Sequence, residues 1–164
     1  SKIESGMSDI RKQALNLNDI LNLVVNDTRP IAARYHLTID IELDPALPKM
    51  LGDPDMLYRV YSNLVSNSIK YTPDGGKILV SSCRKGQDIC ADVKDTGIGI
   101  EPENLKKMFE AFYQKTPASL GIGVGLKISK EIVMLHDGDI WAESEGLGHG
   151  TVVKTIFPSH AGAA

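Results

Sequence analysis

The chain has 164 residues, enough for one compact domain and too few for two ordinary ones. Apolar residues make up 42% and charged residues 24%, which excludes wholesale disorder. Eighteen Lys and Arg against 21 Asp and Glu leave a net charge of −3, which excludes a strongly basic nucleic-acid binder but not an anionic ligand held by a few backbone amides and one lysine.

In chain order, Ser1–Ala14 is polar and weakly patterned, like the frayed end of a longer helix. Ile20, Leu21, Val24, Val25, Thr28, Ile31 and Ala32 recur at helical spacing and predict a helix from about Asn18 to Tyr35, capped by Asn18 or Asp19, with Pro30 inside it. Leu37–Leu43 alternates as a strand, and Asp44-Pro45 and Leu47-Pro48 break it. Asp53 caps a second helix with Pro54 in its first turn, running to about Tyr71 on a core face of Leu57, Val60, Tyr61, Leu64, Val65, Ser68 and Ile69. Lys77–Arg84 and Ile89–Lys94 then form a hairpin around Lys85-Gly86-Gln87-Asp88. Pro102–Tyr113 is a short helix, Gln114–Leu120 a polar loop, and Gly121–Gly125 leads into a helix to about Leu135. Asp139–Ser144 and Thr151–Phe157 are the last strands. Strands paired in hairpins favour a two-layer α+β sandwich over a doubly wound parallel sheet.

No apolar run approaches the ~20 residues that span a bilayer, and the opening Ser1-Lys2-Ile3-Glu4 carries no signal-peptide pattern. The two cysteines, Cys83 and Cys90, have no metal-site spacing, but counting outward from the hairpin turn sets them opposite one another. The four histidines are scattered, and none stands in a nucleophile–base arrangement.

Four constellations carry chemistry. Asn63, Asn67 and Lys70 share one face of the second helix, offering two carboxamide oxygens and a point charge; oxygen from one or two side chains plus substrate phosphates is how Mg²⁺ is usually held. Asp95-Thr96-Gly97-Ile98-Gly99 follows a strand directly, with an acceptor suited to an exocyclic amine and glycines that permit close backbone approach. Pro102 stands where a dinucleotide fingerprint needs its third glycine. Gly121-Ile122-Gly123-Val124-Gly125 opens a helix, exposing amides that suit phosphate. Gly146-Leu147-Gly148-His149-Gly150-Thr151 reads on its own as a hairpin turn.

Taken in this order, with Phe109-Glu110-Ala111-Phe112-Tyr113 between the second and third, these stretches resemble the successive boxes of the catalytic ATP-binding domain of sensor histidine kinases. That domain lies within the wider group of gyrase, Hsp90 and MutL ATPases, and the resemblance covers about Leu17 to Pro158. It implies a Bergerat-type sandwich, with a mixed, mostly antiparallel sheet of about five strands backed by three main helices. It implies ATP with Mg²⁺: Asn67 on the metal, Asn63 beside it, Lys70 on phosphate and Tyr71 near the ribose or base. Asp95 would accept from the adenine amine, and Gly97 and Gly99 would let the base approach, with Ile100 beside them. Phe112 would anchor the lid, Gly123, Val124, Gly125 and Leu126 would offer backbone to phosphates, and Thr151 would lie near the adenine. Lys115 stands where the family often has arginine, at a loss of bidentate geometry. The lid is short, and Lys127 is placed to reach a phosphate.

Where the hydrolysing relatives carry a glutamate that activates water, this chain has Asn63, which cannot take a proton. The resemblance therefore implies transfer to a protein histidine. Residues 1–16 are expected to be the end of a dimerisation and phosphoacceptor helix with its linker, 17–158 the catalytic domain and 159–164 a tail. The expected setting is a cytoplasmic module, monomeric alone and homodimeric at full length, that passes phosphate through a separate dimerisation domain to a response regulator, with no nucleic-acid partner. The alternatives are a degenerate nucleotide binder without catalysis, a gyrase- or Hsp90-type ATPase, and a serine-phosphorylating kinase of the anti-sigma type.

Overall fold

The computed structural model describes residues 9–110 and 122–160, with the backbone alone for 122–124. Its elements are β1 (Gln13–Leu15), α1 (Leu17–Ala33), β2 (Thr38–Glu42), β3 (Met50–Gly52), α2 (Pro54–Tyr71), β4 (Lys77–Lys85), β5 (Asp88–Asp95), α3 (Pro102–Leu105), α4 (Ile122–Leu135), β6 (Asp139–Glu143) and β7 (Thr151–Pro158). Five strands form one mixed sheet in the order β2-β4-β5-β7-β6, in which only β2 with β4 is parallel. The helices α1, α2 and α4 cover one face. Ile78 and Val80 of β4, Ile89, Ala91 and Val93 of β5, and Val153 and Phe157 of β7 meet Leu21, Val24, Leu57, Leu64, Ile132 and Val133 in a single core. Alternation along each strand turns a second face away from the helices, where Lys77, Ser81, Asp92, Lys94 and Lys154 mix with Leu79, Val152 and Ile156. This is the two-layer sandwich expected.

Local chemistry explains most boundaries. Asp53 Oδ1 accepts the amides of Asp55 and Met56 at 3.1 and 3.3 Å, so α2 starts where its cap and Pro54 predict. The start of α1 corrects the sequence reading. Asn16, not Asn18 or Asp19, caps the helix, its side chain accepting the Asn18 amide at 2.8 Å. Starting one residue earlier buries Leu17 completely. The Asn18 side chain instead ties the layers together, donating to the Asp44 carbonyl at 2.8 Å and accepting the Ser82 hydroxyl at 2.7 Å.

Two strands are additions. The segment read as the frayed end of a helix forms β1 at its last residues, paired antiparallel with β3. Three-residue strands carry no alternation to detect. The helix expected over Pro102–Tyr113 is α3 alone. With no side-chain cap it closes after one turn, and the chain continues through turns from Lys107 N–H to the Asn104 carbonyl and from Glu110 N–H to the Lys107 carbonyl. Residues 111–113 lie outside the described residues.

His136 locks the end of the molecule away from the glycine loops. It is 2% exposed. Its Nδ1 lies 2.8 Å from the Ile132 carbonyl, and its Nε2 accepts the Asp53 amide at 3.0 Å. The ring is thus neutral with the proton on Nδ1. Burial is the main cause that holds its pKa below the ordinary histidine value, with Lys12 acting in the same direction and the Ile132 carbonyl, Asp53 and Asp137 opposing. A depressed folded pKa means that the unfolded chain takes the proton first. Stability is therefore full above about pH 6.5, the ordinary histidine value, and falls as pH drops below it. Melting temperature measured from pH 8 to pH 5.5 is expected to decline on the acid side. The decline should be smaller in His136→Gln, although that variant is less stable at pH 8.

Candidate nucleotide site

A cleft opens between α2, the loop after β5 and the start of α4. Its lining includes Leu64, Asn67, Ser68 and Tyr71 from α2, Asp95 and Ile100 from the end of β5 and the loop beyond it, Met108, Leu126 from α4, and Thr151 and Val153 from β7. The cleft leaves about 470 Å³ of space, a figure that includes the solvent in its open mouth. The walls are mostly apolar, and the polar groups gather at one place.

That place is Asp95, which is 8% exposed. Its Oδ1 accepts the amides of Gly97 at 2.9 Å and Thr151 at 3.2 Å, and its Oδ2 accepts the Ser68 hydroxyl at 2.8 Å. One helix, one loop and one strand therefore fix a carboxylate at the wall of an apolar slot. Such a slot has the chemistry to take a flat heterocycle with an amino edge, with apolar lining such as Leu64 and Val153 for its faces and the carboxylate as acceptor for its amine.

The glycines after Asp95 leave room that the protein's own backbone fills. A Cβ on Gly97 would stand 2.6 Å from the Tyr71 carbonyl oxygen and 2.8 Å from Asp95 Oδ1. Gly99 has φ +76°, and a Cβ there would run into the Gly146 carbonyl. The 146–150 turn is more than a simple hairpin connection. Gly148 N–H bonds the Ile98 carbonyl at 2.8 Å, Gly150 N–H the Gly97 carbonyl at 3.1 Å, and Ile100 N–H the Ser144 hydroxyl at 3.1 Å. The two glycine loops form one clasp that aims the Thr151 amide at Asp95.

Of the residues singled out in the sequence, Asn67, Tyr71, Asp95, Ile100, Leu126 and Thr151 line the cleft. Asn63 does not. Its Nδ2 lies 3.4 Å from both the Gly125 carbonyl and the Ser129 hydroxyl, so it braces α2 against α4. Lys70 stands exposed in the last turn of α2. The glycine run enters the helix itself: α4 begins at Ile122, so Gly123, Val124 and Gly125 fall in its first turn, where amides lack intrahelical partners. Lys127, expected to reach a phosphate, pairs along α4 with Glu131. Phe112 and Lys115 lie outside the described residues. Sequence reasoning missed Ser68, Met108, Leu64 and Val153 as lining residues. A serine one turn after Leu64 on an otherwise apolar face was the available signal for Ser68.

A family model described as histidine kinase-, DNA gyrase B- and HSP90-like ATPase matches residues 52–161. The chain belongs to this family. Among curated proteins it is 38% identical over 157 residues to the adaptive-response sensory kinase SasA of Thermosynechococcus vestitus strain BP-1, an alignment covering 93% of this chain and 40% of SasA. This chain thus spans well under half of that relative. Among solved structures, the nucleotide-free catalytic domain of histidine kinase ThkA superposes with a TM-score of 0.82 at 24% identity, over 94% of this chain and 99% of that domain. Full-length ShkA, solved in complex with AMPPNP, gives 0.82 at 25% identity over 95% of this chain and 33% of ShkA. The architecture is that of histidine kinase catalytic ATP-binding domains. Among the described residues, no helix is long and apolar enough to cross a membrane.

Proposed function

We propose that this domain binds ATP in the cleft and transfers its γ-phosphoryl group to a histidine on a separate dimerisation domain, for relay to a response regulator. The observation that carries the reading is Asp95, held by three donors at the wall of an apolar slot. Adenine sits in the slot with its amine on Asp95, and the phosphates extend past Asn67 toward the first turn of α4, whose amides and positive dipole end suit them.

Asn67 fits a magnesium role by the chemistry of its donor. It lines the cleft and has one hard carboxamide oxygen to offer, and no group of three His, Cys, Asp or Glu stands among the described residues to form a cage. A hard cation there needs the nucleotide's own phosphate oxygens. When bound, Mg²⁺ supplies neutralisation of phosphate charge. Lys70, one turn after Asn67, reaches the phosphates from the end of α2. Asn63 orients rather than reacts: it holds α2 to the turn of α4 that meets the phosphates, and its amide cannot activate water. Catalysis is then mostly positioning and charge neutralisation. Phe112 and Lys115 are assigned to nucleotide binding by the sequence resemblance alone, and the module works in the cytoplasm as part of a homodimeric sensor.

The test supplies γ-labelled ATP, Mg²⁺ and a dimerisation domain carrying the acceptor histidine in trans. Acid-labile label on that domain is expected. Nucleotide binding without transfer identifies a non-catalytic binder, and steady phosphate release without an acceptor identifies an ATPase.

A further inference from the structure

The β4–β5 hairpin carries both cysteines, and its register sets Cys83 directly opposite Cys90. Both thiols are free. Ile89 and Ala91, on either side of Cys90, point into the core, so Cys90 and its partner point to the open face of the sheet. The type of pair follows from the ladder. Thr96 N–H bonds the Lys77 carbonyl at 3.1 Å one position beyond the ladder, as at a hydrogen-bonded position, while Lys77 N–H turns to the Thr96 hydroxyl at 2.9 Å. The pattern repeats at every second pair and so includes Cys83 and Cys90. Opposed Cα atoms in such a pair stand about 5.5 Å apart, inside the roughly 4.4–6.8 Å that a disulfide spans. Cβ atoms opposed in such a pair lie toward the wide end of roughly 4.5–5.5 Å, beyond the ~3.5–4.5 Å of a relaxed disulfide. Closing the bond therefore tightens the hairpin, and a bond made under strain is one that thiols readily reopen.

We propose that Cys83 and Cys90 form a reversible dithiol–disulfide site that exchanges with a low-molecular-weight disulfide of the glutathione class. The two sulfurs have different roles. Cys83 is exposed and Cys90 is 6% exposed. The Cys83 thiolate attacks one sulfur of the small disulfide, whose S–S bond breaks and releases one small thiol carrying the proton that Cys83 lost. Cys90 then loses its proton and attacks the Cys83 sulfur, forming the intrachain bond and expelling the second small thiol, which takes up that proton. Two electrons leave the protein and reduce the small disulfide to two thiols. Burial pushes the Cys90 thiol pKa up, which suits the second role rather than the first. Cys90 is five residues from Asp95 along β5, and the sulfurs lie on the sheet face opposite the cleft, so the site stands apart from nucleotide binding.

The experiment incubates the reduced chain with oxidised glutathione, blocks remaining thiols with N-ethylmaleimide and measures intact mass. The expected product has lost two hydrogens, carries neither glutathione nor maleimide, and recovers both labelling sites after dithiothreitol. Cys90→Ser should stop at a stable glutathione adduct on Cys83, and Cys83→Ser should take up glutathione at least tenfold more slowly. A wild-type chain that keeps a glutathione adduct, links to a second chain, or remains fully labelled by maleimide would overturn the proposal.

Discussion

Asp95→Asn is expected to lower ADP affinity by about 30- to 100-fold while leaving the fold almost unchanged. The asymmetry follows from the three donors that hold the carboxylate. If the amide oxygen takes the Oδ1 position, it still accepts the Gly97 and Thr151 amides, and the new NH₂ faces Ser68, whose hydroxyl can rotate to accept. These three hydrogen bonds are kept. The ligand loses its own: an amine that met a carboxylate now meets another donor. Losing one charge-assisted hydrogen bond and stranding its donor costs about 2–2.7 kcal/mol, which converts to that fold-change. Calorimetric titration with ADP, beside a melting curve that stays within a few degrees of wild type, checks both halves. Unchanged affinity would mean that the amine-accepting role of Asp95 is wrong. A collapsed melting curve would mean that the carboxylate is structural first.

The site was legible in the sequence where chemistry is local and much less so where it depends on packing. Asp95 stands at a strand end before two glycines, a weak pattern by itself that gains its meaning from the order of the stretches around it. Asp53 with Pro54 and the Asn67 face of α2 were equally visible, because a cap or a helical face needs only a few residues of context. The meaning of Gly97 and Gly99 was not visible. Their spacing says that something comes close, but the partners are the carbonyls of Tyr71 and Gly146, one of them nearly fifty residues away. Asn63 shows the same limit. Helical spacing places it on the Asn67 face, whereas the approach of α4 turns its amide toward Gly125 and Ser129. The short strands β1 and β3 stabilise each other only as a pair, so neither three-residue segment announces itself. The parallel β2–β4 pairing likewise depends on α2 crossing between the two strands, while hairpin turns predict only antiparallel neighbours.

Gly99→Ala and Gly148→Ala form the second pair of expected results, and their difference isolates the clasp. Both glycines hold positive φ, +76° and +84°, so alanine at either site carries a left-handed penalty of roughly 1–2 kcal/mol. At Gly148 nothing lies within 4 Å of the added methyl, and the penalty ends there. At Gly99 the methyl collides with the Gly146 carbonyl and stands 3.2 Å from Leu147 Cα, so backbone must move rather than a side chain. That movement strains the bonds from Gly148 to Ile98 and from Gly150 to Gly97, and through them the Thr151 amide that orients Asp95. Gly99→Ala is therefore expected to cost at least about 3 kcal/mol in urea unfolding, within the upper range for backbone strain compounded by collision. It should also weaken ADP binding by tenfold or more, whereas Gly148→Ala leaves ADP affinity within about twofold of wild type. Equal losses in the two variants would mean that the loops meet less closely than the clasp requires. A Gly99→Ala domain that unfolds at the lower urea midpoint but binds ADP normally would uncouple the clasp from Asp95 and leave Gly97 and Ser68 to orient the carboxylate.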